Sequence, residues 1–408
     1  MQYRKMPKSD DELSALGFGC MRLPAKGNGT GMTSSIDIEE SKRQIMHAID
    51  NGVNYLDTAW PYHRGASESF LGEHILSDKE TRDKVYIATK LPCFIIGKSQ
   101  KFDEIFNRQL EKLKVDYIDY YLLHSLEGLT WDKMVKLGII DWMDKVKAEG
   151  KVRHIGFSFH GRHEDFIRIV DSYDFDFTQV QFNILDENYQ AGIKGIEYAS
   201  QKGLGIIVME PLRGGSLVGK IPTEVQQIYD TAKIKRSAAD WALRWIYNHP
   251  QVTLVLSGMN KIEHIDENIK VASETAANSL TDKEQQIIKE VRDKYLEILT
   301  IGCTGCAYCM PCTVGIDIPA TLKNLNDYHM FSKSGARVQQ MLYAGISTND
   351  GKPHYASSCI ECGKCEKKCP QNLEIIQALS QVSKEIEGPG MKAIAAVARP
   401  IMRGRKKD

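Results

Sequence analysis

The sequence predicts an α/β protein made of a (β/α)8 TIM barrel followed by a small, mainly helical domain rich in cysteine. Three observations lead to this prediction. Short, nearly continuous apolar runs alternate with longer amphipathic segments over roughly the first three hundred residues. Several of these runs end on a polar or ionisable residue. Eight of the ten cysteines lie between residues 303 and 369.

Length and charge narrow the classes of function. A chain of 408 residues favours one large domain plus a small one. With 53 basic and 53 acidic residues, no net charge steers it towards nucleic acid or an anionic membrane. No apolar run approaches the ~20 residues needed to span a bilayer, and the N-terminus lacks an apolar signal core. We therefore expect a cytoplasmic protein whose partner is a small molecule or another soluble protein.

The apolar runs predict strands buried on both faces of a parallel sheet, because few polar residues interrupt them. The runs are LGFGCMRL near residue 20, VNYLDTA from Val53, KVYIATKL from Lys84, VDYIDYYLLH from Val115, RHIGFSF from Arg153, FTQVQFNIL from Phe177, LGIIVMEPL from Leu204 and VTLVLSG from Val252.

The segments between these runs predict helices. Asp37 followed by Glu40 has the spacing of a capping box, and Gly52 supplies a stop at the other end. Similar amphipathic segments follow the later runs, which gives about eight β/α units, the number in a TIM barrel. A doubly wound open sheet is the alternative. It is disfavoured because Gly17 and Gly19 do not complete a GxGxxG pattern.

Four predicted strands end on a polar side chain, namely Asp57, Lys90, His124 and Ser158, and Tyr62 lies five residues after Asp57 on the loop that leaves the same strand. Because barrel strands converge at these ends, we expect the side chains around one mouth. The ammonium group of Lys90 is expected to lower the pKa of Tyr62 from ~10 and make it a better acid. Asp57 would hold Lys90, and a neutral His124 would orient a carbonyl oxygen. Unrelated strand-end polar groups are the alternative reading, which explains each residue but not the set.

These residues stand in motifs that resemble those of the aldo-keto reductases over roughly residues 10–275. The motifs are LDTAWPYHRGASE, ATK, LLH, HIGFS, QVQFN, EPLRGG and SGMNKIEHIDEN. The resemblance implies that Tyr62 is the general acid and that Lys90, Asp57 and His124 complete a catalytic tetrad. It also implies direct hydride transfer from NADPH or NADH to the carbonyl carbon of an aldehyde or ketone.

The same resemblance assigns cofactor contacts to eight residues. They are Ser158 and Gln179 at the nicotinamide carboxamide, Leu212 and Gly258 along the pyrophosphate, Glu267 and Asn268 at the adenine, and Lys261 and His264 near the adenosine 2′-phosphate.

Three positions depart from the family pattern. Phe159 stands where an asparagine commonly helps to bind the carboxamide, and Met209 where an aromatic ring often stacks on the nicotinamide. His264 replaces an arginine that many members use to grip the 2′-phosphate, which leaves Lys261 as the nearest fixed cation. The choice between NADPH and NADH therefore stays open.

The C-terminal cysteines form two groups of four, Cys303, Cys306, Cys309 and Cys312, then Cys359, Cys362, Cys365 and Cys369. The second group reads CIECGKCEKKCP, which is how bacterial ferredoxins bind a [4Fe-4S] cluster. Eight thiols are twice the number that one tetrahedral zinc ion requires. We therefore expect two [4Fe-4S] clusters, with zinc or free thiols as the alternatives.

In a ferredoxin-like domain the first three cysteines of a motif bind one cluster and the fourth binds the other. By this rule one cluster is held by Cys303, Cys306, Cys309 and Cys369, and the second by Cys359, Cys362, Cys365 and Cys312. The first motif departs from the rule, because Cys312 follows Cys309 after two residues rather than three. LGFGCMRLP, PYHRGASE, CTGCAYCMPC and VGIDIP resemble the aldo-keto reductase subgroup that carries such a domain.

We expect three segments, a barrel over residues 1–295, a ferredoxin-like iron–sulfur domain over 296–385 and a basic tail over 386–408. The tail ends in MKAIAAVARPIMRGRKKD and is expected to be solvated and partly disordered. A docking arm for an acidic protein such as a ferredoxin is the alternative.

The leading hypothesis is an NAD(P)H-dependent carbonyl reductase whose clusters are structural or have an accessory redox role. One alternative is an iron–sulfur electron-transfer protein, in which the barrel anchors the clusters and a ferredoxin-type redox partner docks. Another is a binding or regulatory module with little turnover.

Overall fold

The protein is described from a computed structural model that covers residues 1–26, 35–219, 221–303, 309–331, 333–346, 348, 352–369 and 372–403, with side chains up to residue 399. The chain divides into two compact units. The barrel unit comprises Met1–Gly214 and Arg236–Ile288, and the cysteine-rich unit comprises Gly215–Lys235 and Lys289–Asp408. Among the described residues no helix is both long enough and apolar enough to cross a bilayer. The domain boundaries after residues 295 and 385 stay predictions.

The described residues contain ten strands, all in the barrel unit. The strands are β1 (Tyr3–Lys5), β2 (Glu12–Ser14), β3 (Leu16–Gly19), β4 (Tyr55–Asp57), β5 (Tyr86–Leu91), β6 (Ile118–Leu126), β7 (Val152–Phe159), β8 (Phe177–Gln181), β9 (Gly205–Met209) and β10 (Val252–Ser257). Strands β3 to β10 follow one another around a closed parallel barrel, and β10 pairs with β3. The predicted TIM barrel is confirmed, and the open doubly wound sheet is wrong because the sheet has no edge.

Helices follow the strands in the order that the sequence predicts. They are α1 (Ile38–Asp50), α2 (Ala66–His74), α3 (Lys79–Lys84), α4 (Lys101–Leu113), α5 (Gly128–Lys136), α6 (Ile139–Ala148), α7 (His163–Ser172), α8 (Gly192–Gln201), α9 (Thr223–Tyr229), α10 (Ala238–Tyr247), α11 (Ile262–Glu274), α12 (Asp282–Glu297), α13 (Ile318–Met330), α14 (Lys333–Gln340), α15 (Lys364–Lys367), α16 (Ile375–Glu385) and α17 (Pro389–Arg403). At the start of α1 the Asp37 side chain accepts a hydrogen bond from Glu40 N, as the capping pattern predicts.

The amino-terminal end of the barrel is closed by the antiparallel hairpin β1–β2. Met6 and Leu13 from this hairpin pack into the same core cluster as the barrel residues Tyr55, Tyr120 and Phe177. Tyr120 lies at the centre of that cluster, with ring centroids 5.2 Å from Tyr55 and 5.3 Å from Phe177. Because side chains fill this end, the concave site has to open at the carboxyl ends of the strands.

Four polar side chains near the amino-terminal ends of the strands, three of them buried, accept hydrogen bonds from the backbone of a neighbouring strand. The four pairs are Ser14 N to Asn54 Oδ1, Ile87 N to Asp119 Oδ2, Ile155 N to Asp176 Oδ2 and Ile206 N to Thr253 Oγ1. Asp119 is the most deeply paired, since its carboxylate also lies 2.8 Å from Arg82 and 3.3 Å from Arg153. These contacts satisfy backbone groups where barrel strands begin.

The cysteine-rich unit has an apolar core of its own, built mainly from α13 and α16. Its last helix, α17, corrects one expectation. Residues 386–408 were expected to be partly disordered, but Pro389–Arg403 is helical because buried Ala395 packs against Ala344, Ile346 and Tyr355. Residues 404–408 lie outside the described part of the chain.

We predict that Asp119→Ala will lower the unfolding free energy of the barrel unit by about 3–5 kcal/mol, because it leaves Arg82 without its buried partner. The five tryptophans all lie in the barrel unit, so urea unfolding followed by tryptophan fluorescence reports on that unit. Asp132→Ala is the control, since it removes a half-exposed pair with Arg168 worth less than about 1 kcal/mol. Equal losses in the two variants would contradict the prediction.

Candidate active site and cysteine cluster

The tetrad residues predicted from the sequence come together at the carboxyl end of the barrel. Asp57 ends β4, Lys90 lies one residue before the end of β5, and His124 lies near the end of β6. Lys90 Nζ donates to Asp57 Oδ1 at 2.6 Å, to the Thr58 carbonyl at 2.8 Å and to Tyr62 Oη at 3.4 Å. Lys90 is only 1% exposed and Tyr62 8% exposed, so the contacts form away from bulk water.

Tyr62 is held on an unusual turn. The two residues after it, His63 and Arg64, have left-handed φ angles of 52° and 57°, and Gly65 follows at 87°. A side chain in this region costs of order 1–3 kcal/mol, so contacts outside the turn have to maintain it. The Tyr62 ring centroid lies 5.0 Å from Lys90 Nζ and 6.2 Å from the His124 ring, with the two rings 83° apart.

Burial raises the pKa of Tyr62 above its usual value, and the Lys90 ammonium lowers it only in part. The sequence-based expectation of a lowered Tyr62 pKa is therefore wrong for this structure, because desolvation outweighs the single nearby charge. The hydroxyl keeps its proton at neutral pH and can donate it. The phenolate that would remain lies beside the positive charge of Lys90.

Two further titratable groups of the tetrad, Lys90 and His124, keep the protonation states that the sequence predicts. Burial alone would lower the pKa of Lys90, but the Asp57 carboxylate and the Tyr62 hydroxyl raise it on balance, so Lys90 stays charged. Burial, helped by Lys90 and His160, lowers the pKa of His124 well below its usual range. The imidazole is therefore neutral, and its buried Nδ1 atom makes no hydrogen bond within the described residues.

Ser158 and Gln179 lie next to the tetrad as register partners on β7 and β8. Gln179 Nε2 is 3.4 Å from Asp57 Oδ2, and Ser158 Oγ accepts a hydrogen bond from Ser125 N at 2.8 Å. Gln179 Oε1 is buried and has no hydrogen-bond partner in the described residues. A primary amide would supply the missing donor, so this pair fits the carboxamide of a nicotinamide.

Phe159 and Met209, the two positions near the nicotinamide that depart from the family pattern, lie in different environments. Phe159 is buried and packs against Phe166, with ring centroids 5.1 Å apart, so its side chain belongs to the core. Met209 ends β9 and is partly exposed. Neither side chain replaces the hydrogen bonds that an asparagine would make.

The remaining predicted cofactor residues follow β9 and β10. Leu212 is partly buried, and Gly258 neighbours Arg22, since an added Cβ would be in ordinary contact with that side chain at 3.4 Å. Arg22 also donates to the Gly214 carbonyl at 2.7 Å. Arg22 cannot be predicted from the sequence, because no spacing rule links it to Gly214, 192 positions away.

The adenosine end of the predicted site lies at α11, where backbone N–H groups at the helix start favour anions. Lys261 precedes this helix, and His264 is exposed on its first turn. Glu267 accepts a hydrogen bond from Ser237, and buried Asn268 donates to Ser257 Oγ at 3.0 Å.

The cysteines of both groups pack around the core of the cysteine-rich unit. The residues in this arrangement are Cys303, Cys309, Cys312, Cys359, Cys365 and Cys369. Cys362 is exposed, and Cys306 lies outside the described residues. Thr313, which follows Cys312, approaches Cys362 with its Oγ1 atom 3.9 Å from Sγ, so the two motifs meet. A set of thiols gathered in this way suits soft iron–sulfur ligation.

The structure was also searched for side chains that could bind a single metal ion. Within the described ranges, no group of three His, Cys, Asp or Glu side chains is arranged around one ion.

Two family models match the chain. The model described as Aldo/keto reductase family matches residues 15–293. The model described as 4Fe-4S dicluster domain matches residues 302–374.

Curated relatives match the chain over about two thirds of its length. YqkF of Bacillus subtilis, an uncharacterised oxidoreductase, is 26% identical over 313 residues, which are 70% of this chain and 94% of the relative. L-galactose dehydrogenase of Arabidopsis thaliana is 25% identical over 306 residues, 69% and 93% of the two chains. The NADH-specific methylglyoxal reductase of Escherichia coli is 24% identical over 341 residues, 71% and 98%.

Solved structures show the same fold. The holo form of aldo-keto reductase AKR11C1 from Bacillus halodurans has a TM-score of 0.59 and 25% identity, covering 71% of this chain and 96% of its own. An aldo-keto reductase from Klebsiella pneumoniae in complex with NADPH has a TM-score of 0.57 over 72% and 96% of the two chains. Its identity of 21% supports the fold alone.

We predict that acid destabilises the barrel unit through His124. Below the ordinary histidine pKa of 6.5 the unfolded chain binds a proton that folded His124 does not, so stability falls as pH falls. Each such histidine contributes up to about 1.4 kcal/mol per pH unit. Urea unfolding by tryptophan fluorescence across this pH range should show a shallower pH slope for His124→Asn.

His249→Asn is the matched variant, because burial lowers the pKa of His249 to about 4. Each of the two substitutions should reduce the slope of unfolding free energy against pH, whether or not the other is present. A His124→Asn slope equal to that of the wild type would show that the folded protein protonates His124 normally.

Proposed function

The chain belongs to the aldo/keto reductase family and carries a 4Fe-4S dicluster domain, and from this premise we propose that the oxidoreductase converts an aldehyde or ketone to an alcohol with NADPH or NADH. The observation that carries the proposal is the buried contact of one ammonium group, Lys90 Nζ, with both Asp57 and Tyr62. A scaffold or a binding module has no need of a tyrosine hydroxyl held against a buried lysine.

The reduced nicotinamide, when bound, supplies the hydride. Tyr62 donates its proton to the carbonyl oxygen, because its raised pKa keeps it protonated until the transfer. Lys90 stabilises the resulting phenolate across 3.4 Å, and Asp57 keeps Lys90 charged and in place. His124 is neutral and orients the carbonyl oxygen towards the tyrosine hydroxyl.

Cofactor binding uses residues on both sides of the tetrad. Gln179 Oε1 and Ser158 hold the carboxamide. This assignment is supported by Gln179 Oε1, which is buried and has no hydrogen-bond partner in the described residues. Leu212 and Gly258 follow the pyrophosphate. The residues that would hold the adenosine end are Lys261, which precedes α11, and His264, Glu267 and Asn268 on its first turns.

We assign two [4Fe-4S] clusters to the eight C-terminal cysteines, in the interlocked pattern expected from their spacing. The contact between Thr313 and Cys362 supports this pattern, because it brings Cys312 to the second motif. Hydride transfer moves two electrons directly to the carbonyl carbon, so the clusters are structural or accessory in this reaction.

The alternative function, electron transfer through the clusters to a ferredoxin-type partner, is favoured by one observation. Cys362 is exposed, so a redox partner can approach this ligand from solvent.

We predict that Tyr62→Phe will reduce the turnover of carbonyl substrates by about 10²- to 10⁴-fold, the range for loss of a general acid. Binding of NADPH or NADH, followed by fluorescence titration, should stay close to the wild-type value. Tyr198→Phe is the control, because that hydroxyl bonds the surface carboxylate of Asp171, away from the tetrad. Near-wild-type turnover by the Tyr62 variant would remove the basis of the proposal.

We predict that Cys362→Ala will lose about half of the iron and sulfide and will lower the thermal stability of the cysteine-rich unit, since cluster ligation contributes folding free energy. Carbonyl reduction should remain close to wild type. Cys93→Ala, in the barrel, is the control that should keep all of the iron. Full iron content in the Cys362 variant would contradict the ligand assignment, whereas loss of turnover with intact cofactor binding would favour the electron-transfer alternative.

A further inference from the structure

A buried polar network lies behind the tetrad, on the helices that follow β4 and β5. Its centre is Glu68 on α2, whose side chain is 0% exposed. Glu68 Oε1 accepts hydrogen bonds from Thr89 Oγ1 at 2.8 Å and from Gln109 Nε2 at 2.6 Å. Its second oxygen, Oε2, lies 3.2 Å from Lys112 Nζ on α4. Within the described residues, none of these side chains makes a hydrogen bond to a tetrad side chain.

Lys112 connects this network to the turn that carries Tyr62. Its ammonium donates to the Gly65 carbonyl at 3.1 Å and stands 4.3 Å from the centroid of the Trp60 ring. Trp60 and Gly65 flank Tyr62, and the residues between them include the left-handed pair His63 and Arg64. Lys112 therefore holds both ends of a backbone segment that is strained without external contacts.

Gln109 connects the same network to the strand that carries Lys90. Its Nε2 atom donates to the Lys90 carbonyl at 3.1 Å, and its Oε1 atom accepts from Tyr121 Oη at 2.6 Å. One carboxylate thus fixes the backbone of both members of the Tyr62–Lys90 contact, whose side chains lie 3.4 Å apart.

The close packing of α2 on α4 does not depend on this ion pair. Gly72 sets the approach of the two helices, because a Cβ at this position would lie 2.1 Å from the Lys112 carbonyl oxygen. Burial of a carboxylate is expensive, and a well-packed apolar pair is often at least as stable. The charges of Glu68 and Lys112 therefore need a reason other than helix packing.

We propose that the Glu68–Lys112 ion pair is a positioning device for the general acid, which sets the Tyr62 hydroxyl against the Lys90 ammonium. The inference rests on the proposed function of Tyr62. Glu68 and Lys112 act through the turn and the strand, so they are positioning residues rather than catalytic ones. A displacement of about 1 Å between reacting groups can lower a rate ~100-fold.

The test begins with Lys112→Met, which keeps most of the stem and removes the ammonium. We expect kcat to fall about 10- to 100-fold, with the Kd of NADPH unchanged within about twofold. Lys112→Arg, which restores the charge, should recover much of the turnover. Lys101→Met is the matched control on the same helix, because it removes an exposed pair with Glu104 and should leave kcat unchanged.

The double variant Lys112→Met/Glu68→Gln separates positioning from stability. It removes the carboxylate that Lys112→Met leaves unpaired, so the melting temperature should return towards the wild-type value while kcat stays low. If kcat returns together with the melting temperature, the network is merely structural and the inference is wrong. Should the double variant fail to fold, Glu68→Gln alone should still lower kcat several-fold, and a wild-type kcat in that variant would equally overturn the inference.

A readout without turnover distinguishes this inference from the proposed function. Because Lys90 lowers the pKa of Tyr62, a loosened contact should raise that pKa further in Lys112→Met. The shift can be followed by NMR titration of protein labelled with ¹³C-tyrosine, with Tyr62→Phe used to assign the signal. An unchanged Tyr62 pKa overturns the positioning role, whereas absence of carbonyl reduction by the wild-type protein contradicts only the proposed function.

Discussion

The buried ion pair between Lys90 and Asp57 is the interaction around which the barrel unit is arranged. An ammonium group has three donors, and Lys90 uses them on Asp57, on the Thr58 carbonyl and on Tyr62. Such complete satisfaction is what allows a charged pair to persist away from water. The second oxygen of Asp57 faces Gln179 at 3.4 Å, so the same pair extends to the residues suited to a carboxamide. The Tyr62 hydroxyl and the Gln179 amide therefore share one electrostatic centre.

Contacts at the amino-terminal end of the barrel stabilise the fold, whereas the candidate site lies at the carboxyl end. At the amino-terminal end the hairpin fills the opening, and polar side chains such as Asp119 and Asp176 satisfy strand backbones. Around the carboxyl end the non-glycine residues with left-handed φ angles include His63, Ser125 and Glu210. Unfavourable backbone conformations are tolerated there because the rest of the barrel holds them.

The sequence predicts the barrel and the grouping of Asp57, Tyr62, Lys90 and His124 at its carboxyl end, because both follow from the order of strands and from the residues at or just after their ends. It predicts the sign of the Tyr62 pKa shift wrongly, since the depth of burial comes from the assembled barrel. The role of Asp119 was missed because the sequence around a single carboxylate in an apolar run does not show which backbone N–H of the neighbouring strand it will accept from. Lys112 was missed for the same reason, since it joins residues 44 and 47 positions away. The α17 helix was not predicted because it depends on the packing of Ala395 against Ala344, Ile346 and Tyr355, and the Ala-rich, basic sequence of the segment does not show those contacts.

The two units are interleaved along the chain, since Gly215–Lys235 groups with Lys289–Asp408 and not with the barrel residues on either side of it. This arrangement has a consequence for synthesis on the ribosome. The nascent chain exposes Gly215–Lys235 before β10, the strand that closes the barrel against β3. Domains generally fold as their residues emerge, from the amino terminus onwards. The barrel strands can therefore pair while the chain is still being made, whereas Gly215–Lys235 has no partner until the residues from Lys289 onwards have been synthesised. Assembly of the cysteine-rich unit is thus a later step in the biogenesis of this chain than pairing of the barrel strands.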